Sequence, residues 1–237
     1  MESPGEHPAT TSAKGAVRIE EPSRSERQLG RRAAESRATV PELELATVVD
    51  MSAAMAARAE AVGGAAPLTA LVVRACALAL REHPRANGAY RDGHFELYAR
   101  VNVGVAMMSG EAVAVPTIVD ADTKATREIA GELRALAGSV RDGTITSADV
   151  AGATFTIVNL GVTGVSSFYS PVPPGQAAVL AVGAVREVPV LRGGDIVAGQ
   201  EMNLTLTCDH RILYGTHAAS FLAQIGTLLE RPQELLA

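Results

Sequence analysis

The stretch Leu204-Thr-Leu-Thr-Cys-Asp-His-Arg-Ile-Leu-Tyr-Gly215 changes periodicity in mid-course. Leu204, Leu206 and Cys208 alternate with Thr205 and Thr207, the two-residue repeat of a strand with an apolar face. Three polar residues, Asp209-His210-Arg211, interrupt it. Gly215 turns the chain, and Ala219, Phe221, Leu222, Ile225, Leu228 and Leu229 return at helical spacing behind Thr216 as the expected cap. A strand passing straight into an amphipathic helix calls for a layer of sheet and a layer of helix to bury both apolar faces. It also sets His210 at the end of a buried strand, where a rigid element holds an imidazole at a cleft. On spacing alone, a histidine in such a place is more often a core or turn residue than a catalytic one.

The remaining composition narrows the function. Hydrophobic residues make up 47% of the 237, enough for one sizeable core, but aromatics are only 3% and Trp is absent, so Ala, Val and Leu must build it. A formal charge of −5 gives no basic footprint for nucleic acid. Cys76 and Cys208 both lie in apolar segments and read as buried thiols of a reducing compartment, not as a disulfide or metal site. No apolar run reaches the ~18 residues of a membrane span, and no signal pattern opens the chain. A cytoplasmic protein that binds neither membrane nor nucleic acid is expected.

Taken in order, residues 1–16 read as a disordered leader and 17–237 as a catalytic domain. Arg24–Ser36 is charged and helical. Thr39–Asp50 alternates as a strand, and a short Ala-rich helix follows to Gly63-Gly64. Leu68–Arg81 is apolar nearly all round, the mark of a buried helix. A hairpin is expected around Arg91-Asp92-Gly93-His94, with His94 in water. Val101–Met107 and Ala112–Val119 read as two strands joined at Ser109-Gly110, and Lys124–Arg141 as an amphipathic helix with Ile129, Leu133 and Leu136 inward. Further strands are expected at Ala153–Val158, Gln176–Glu187 and Met202–Cys208. The fold class is α+β: a two-layer sandwich, a large mixed sheet covered by helices.

Seven segments in order resemble the catalytic domain of the dihydrolipoyl acyltransferases of 2-oxoacid dehydrogenase complexes, which has the chloramphenicol acetyltransferase-like fold. They are Arg31-Arg-Ala-Ala-Glu-Ser36, Leu78-Ala-Leu-Arg-Glu-His-Pro84, Asn102-Val-Gly-Val-Ala106, Val115-Pro-Thr-Ile-Val-Asp-Ala-Asp122, Gly152-Ala-Thr-Phe-Thr-Ile-Val-Asn-Leu-Gly161, Gln176-Ala-Ala-Val-Leu-Ala-Val-Gly183 and Asp209-His-Arg211. The resemblance implies that His210 is a general base, taking a proton from a hydroxyl or thiol that attacks a thioester. An imidazole titrates near neutrality, which suits proton transfer both ways. It also implies a homotrimer with the active site between subunits. Arg31 and Arg32 match the family's paired arginines, and with Ser166 and Ser167 they are the candidates for holding acetyl-CoA as co-substrate.

Two positions depart from the family pattern. The serine expected to donate to the tetrahedral oxyanion is Val158, which has no hydrogen-bonding group. The aspartate expected four residues after the histidine is Tyr214. Thr156, Asn159, Ser166, Ser167, Tyr169 and the phenol of Tyr214 are the candidate replacements for the missing donor; strand alternation puts Thr156 on the side of Val158.

Nothing upstream of Arg24 reads as a lipoyl or subunit-binding domain, so a stand-alone domain with no covalently bound lipoate is expected. Three functions follow. The first is transfer of an acetyl or short acyl group from acetyl-CoA to a hydroxyl of a small-molecule or carrier-bound acceptor, as in the similar acetyltransferases of tetronate polyketide (antibiotic) biosynthesis. The second is a structural homologue impaired in catalysis. The third is acyl transfer between a separate lipoyl protein and CoA.

Overall fold

The computed structural model describes residues 11–60, 67–109 and 112–236. Of the expected leader, residues 1–10 lie outside this set, and Thr11–Ser12 pairs with Gly15–Ala16 in a short antiparallel turn. Helix α1, Arg24–Thr39, starts where Ser23 Oγ accepts from the Glu26 amide at 3.2 Å and Glu26 Oε2 accepts from the Ser23 amide at 2.6 Å. This reciprocal cap satisfies two of the donors a helix start leaves open. The helix runs through Thr39, so strand β1 is Glu42–Asp50, beginning after Pro41 rather than at Thr39. Helix α2, Ser52–Glu60, follows; the expected break at Gly63-Gly64 lies outside the described residues.

Helix α3, Leu68–Glu82, is buried at nine positions from Ala70 to Leu80, as its unbroken apolar sequence requires. The hairpin of β2 (Gly88–Arg91) and β3 (His94–Leu97) turns at Asp92 (φ 49°) and Gly93 (φ 85°), the two left-handed residues of a twisted two-residue turn. The two strands expected over 101–119 are each broken. β4 (Val103–Val105) pairs with β7 (Thr117–Ile118) at the edge of the main sheet, and β5 (Met107–Ser109) with β6 (Ala112–Ala114) as a separate two-stranded ribbon. Pro116 lies at one break: it has no N–H for the ladder, though its carbonyl still accepts from Val105. Gly110, in the expected turn, lies outside the described residues.

Helix α4 (Thr126–Arg141), β8 (Phe155–Asn159), β9 (Ala178–Arg192), β10 (Asp195–Asp209) and α5 (Gly215–Glu230) complete the core. The main sheet has six strands in the order β1-β10-β9-β8-β4-β7. β8 runs parallel to β9 and β4, and the other neighbours are antiparallel, so the sheet is mixed as expected. β9 and β10 extend past the sheet as a two-stranded arm turning at Gly193-Gly194, with Leu191 and Ile196 exposed near its tip.

One face of the sheet, carrying Leu204, Leu206, Cys208, Leu180, Val182 and Ile157, packs on α3 and α5 in one apolar core. In α5 the buried stripe starts at Ala218, while Ala219 is exposed. The helix begins at Gly215, and the 3.6-residue period from Phe221 and Leu222 reaches back to Ala218. Tyr214 occupies the cap with no side-chain bond, so Thr216 is inside the first turn and is not the cap.

The opposite face is covered by the loop following β8. The Ala184 amide donates to the Val165 carbonyl at 2.8 Å, and Asn203 Nδ2 donates to the Ser166 carbonyl at 3.0 Å. Gly183 permits that approach: a Cβ there would lie 2.0 Å from the Ser166 oxygen.

Candidate active site

β10 ends in a turn fixed by backbone. The Asp209 amide donates to the Ala177 carbonyl (2.8 Å), the His210 amide to the Pro41 carbonyl (2.9 Å), and the Ile212 and Leu213 amides return to the Asp209 carbonyl. Asp209 is buried and grips Arg211 in a fork, accepting from Nε on Oδ1 at 2.9 Å and from Nη2 on Oδ2 at 2.7 Å. That hydrogen bonding holds the Arg211 guanidinium above its ordinary value. The guanidinium also lies 4.5 Å over the Tyr90 ring. The residues on both sides of His210 are therefore immobilised, while His210 itself is exposed and its ring has no hydrogen-bond partner among the described residues. Among the described residues its ring contact is Tyr214, edge to face at 6.3 Å between centroids. The open imidazole is free to meet a substrate.

A buried carboxylate anchors the surroundings. Glu42 sits opposite Asp209 in the ladder and next to Pro41, which holds the His210 amide. It accepts from Arg37 Nη1 (3.1 Å), the Val172 amide (2.9 Å) and the Tyr169 hydroxyl. Burial, helped by the bond to Glu42, pushes the Tyr169 phenol up to about 12. The end of α1, the start of β1 and the post-β8 loop thus converge on the base of the His210 turn. Cys208, two residues from His210, is a buried thiol pushed up to about 12 by burial and by Asp209, which leaves it unreactive.

The other expected residues lie elsewhere in the chain. Thr156 is buried and gives its hydroxyl to Gln176 Oε1 at 2.8 Å. Asn159 faces α3, donating to Thr69 Oγ1 at 3.1 Å and accepting from its own turn at Gly161. Ladder register separates Val158 from His210. Val158 pairs with Ala181, and Ala181 with Thr205, five residues before His210. At ~3.3 Å per residue and ~4.8 Å per strand, they stand about 19 Å apart in one chain. Thr156 is in the row of Thr207, about 14 Å away by the same spacing. Arg31 is exposed. Arg32 lines a cleft of ≈ 340 Å³ with Glu35, Val115, Thr156 and Gln176. A second, more apolar cleft of ≈ 270 Å³ lies where β4 and β8 end, between Met107, Leu133, Asn159 and Val162. Neither cleft reaches His210.

Sequence reasoning missed two side chains at this turn. His217 lies in the first turn of α5, with its ring 5.9 Å from Tyr214, and Arg85 lies with Cζ 5.5 Å from the same ring. His217 falls on the exposed side of its helix and so carries no core signal; Arg85 is joined to Tyr214 only by the tertiary fold.

A mixed sheet with helices on one face, a covering loop on the other and a histidine at a strand end defines the architecture of the chloramphenicol acetyltransferase-like acyltransferases. Chloramphenicol acetyltransferase itself superposes with a TM-score of 0.53 at 16% identity, over 84% of this chain and 94% of that one, a likeness of fold. More narrowly, residues 15–237 match the family described as 2-oxoacid dehydrogenases acyltransferase (catalytic domain), and the chain belongs to that family. Among curated relatives, a dihydrolipoyllysine-residue acetyltransferase component of the pyruvate dehydrogenase complex from Arabidopsis thaliana is 35% identical over 215 residues, 86% of this chain and 40% of that protein. The chain spans between about a third and a half of the length of the curated relatives it matches.

The dihydrolipoamide acetyltransferase of Azotobacter vinelandii superposes with a TM-score of 0.90 at 26% identity, over 99% of this chain and 100% of that one. Its structure was studied for the catalytic role of a serine, a histidine fifty-two positions later and an asparagine four beyond that. The same spacings about His210 land on Val158 and Tyr214. At the second position that enzyme has an asparagine where the sequence resemblance led us to expect an aspartate.

Proposed function

We propose that this chain transfers an acetyl or short acyl group from acetyl-CoA to a hydroxyl of a small biosynthetic intermediate, with His210 as general base. The observation that carries this reading is the exposed, unbonded imidazole of His210 between two immobilised neighbours, Asp209 and Arg211. A ring nitrogen takes the hydroxyl proton as the oxygen attacks the thioester carbonyl. The tetrahedral intermediate then expels the CoA sulfur, which recovers the proton from the imidazolium. Both substrates meet at one base, so no acyl-enzyme is needed. Asp209 and Arg211 position the base and do not touch substrate.

Val158 supplies no hydroxyl to the oxyanion. Thr156 and Asn159, the first candidates to replace it, have their polar groups engaged with Gln176 and Thr69. The Tyr214 phenol has no hydrogen-bond partner among the described residues and is the donor we favour. Arg31, Arg32, Ser166 and Ser167 remain our candidates for holding CoA.

The homotrimer belongs to the same proposal. Val158, at the position of the Azotobacter serine, stands far from His210 in one chain, so these two positions can border one acyl group only between neighbouring copies. The change of both flanking positions, with the base retained, favours an acceptor other than a dihydrolipoyl group. A hydroxymethyl group on a tetronate-type intermediate is such an acceptor, and the cytoplasm is the location this reading calls for.

The experiment offers acetyl-CoA together with either a hydroxymethyl tetronate or dihydrolipoamide and follows release of free CoA. CoA release that requires the alcohol supports the reading. Acetylation of dihydrolipoamide alone would assign the chain to the substrate named for its relatives.

A further inference from the structure

Tyr214 gathers three basic side chains about one ring. His210 and His217 flank it at 6.3 and 5.9 Å between centroids, and Arg85 Cζ lies 5.5 Å from its centroid. The same Cζ is 5.1 Å from the centroid of Phe95. Several arginines find carboxylates, among them Arg37 with Glu42, Arg81 with Asp122, Arg100 with Asp120 and Arg211 with Asp209, whereas Arg31, Arg32, Arg127, Arg134, Arg186 and Arg231 have no such partner among the described residues and are exposed to water. Arg85 has neither carboxylate nor hydrogen-bond partner among the described residues, and it is half-buried. Aromatic rings hold a guanidinium by its flat faces. Its N–H groups remain at the edge, in the plane that takes an oxyanion through two parallel bonds. Tyr214 adds no negative charge to this cluster. On a chain of net charge −5, a cation without a carboxylate partner, one aromatic ring away from the base, is a local reversal of sign.

We propose that Arg85, with His217 on the same Tyr214 ring, binds a negatively charged oxygen group of the acceptor, a carboxylate or an acidic enol, so that the acceptor is a hydroxy acid rather than a neutral alcohol. This rests on His210 being the base, since the anion site is placed by its shared contact with Tyr214. A phosphate of the CoA substrate presents the same chemistry to the same guanidinium, and the test separates the two sources.

The test reads binding without acyl transfer. The wild-type protein, Arg85→Gln, Arg85→Lys and the control Arg91→Gln are titrated with 3-hydroxypropionate and with 1,3-propanediol, following the His210 and His217 ring signals by NMR. We expect 3-hydroxypropionate to move both rings and the diol to move neither. Charge-assisted bonds of this kind imply a Kd about 10- to 100-fold weaker in Arg85→Gln. Arg85→Lys keeps the charge but loses the fork, and should fall between. Arg91→Gln, on an arginine already paired with Glu96, should match wild type. An unchanged Kd in Arg85→Gln overturns the proposal. So does a loss of acetyl-CoA affinity in Arg85→Gln with 3-hydroxypropionate unaffected, which would give the anion to the thioester substrate. Because no turnover is involved, failure of the acetylation reading and failure of the anion site are read apart.

Discussion

Replacing Arg211 by methionine strands the Asp209 carboxylate. The two side chains are 33% and 3% exposed, and the arginine side chain supplies bonds of 2.9, 3.2 and 2.7 Å to the two oxygens. After the substitution only the Arg211 backbone amide, at 3.0 Å, still reaches the carboxylate. Breaking a fully buried pair from one side costs about 3–5 kcal/mol. Arg211 is a third exposed and water can enter the gap, so about 2–3 kcal/mol is the expected loss. In a domain of this size each kcal/mol moves the midpoint by roughly 2–4 °C, so calorimetry should show Tm lower by about 4–12 °C. Methionine keeps an apolar stem against Tyr90, which limits the contribution of lost packing. The double variant Asp209→Asn with Arg211→Met removes the stranded charge and should recover about half of the loss or more. A single-variant Tm within about 2 °C of native, or strictly additive losses in the double variant, would refute the idea that this pair holds the His210 turn.

Val158→Ser restores a hydroxyl at the position of the Azotobacter serine. One oxyanion donor is worth about 10²–10³ in turnover, so with the Tyr214 phenol in that role steady-state kinetics should show kcat within about tenfold of wild type; a rise of about a hundredfold or more would mean that the phenol does not fill the role. Gly183→Ala drives a methyl into the Ser166 carbonyl, 2.0 Å from the ideal Cβ, and should displace the covering loop, seen as a lower Tm and faster amide exchange at 160–176. Asp50 is held below the usual carboxylate range by hydrogen bonds from Ser52, with Arg192 adding to it. A depressed folded-state value stabilises above the unfolded value near ~3.9 and is lost as pH falls through the folded value. Acid titration of Tm should therefore fall more gently below about pH 4 in Asp50→Asn than in wild type.

Much of this site was legible in the sequence because it rests on local periodicity. Alternation from Leu204 to Cys208 marked the strand that delivers His210, and the apolar run from Leu68 marked α3. Local patterns failed where neighbours decide. The outer part of β9, from Glu187, is polar or exposed on much of its surface, so the sequence reading ended the strand where the sheet ends although the β9–β10 arm continues to Arg192. One break over 101–119 falls at Pro116, which has no N–H for the ladder although its carbonyl still accepts from Val105, and neither segment's alternation reveals how the pieces pair. The distance between Val158 and His210 depends on strand order and register, which no single segment encodes. Strand alternation correctly put Thr156 on the face of Val158, but its hydroxyl is taken by Gln176, twenty residues along the chain. Likewise Arg85, Tyr214 and His217 meet only once α5 packs beside α3.

The central claim is that one imidazole removes a proton from the incoming nucleophile. The most direct measurement is the rate of acyl transfer by His210→Ala against wild type, at saturating acetyl-CoA and with CoA affinity checked in the same preparations. General-base catalysis is worth about 10²–10⁴, so the account predicts a rate lower by at least about a hundredfold with CoA affinity retained. Equal rates in the two proteins would contradict it.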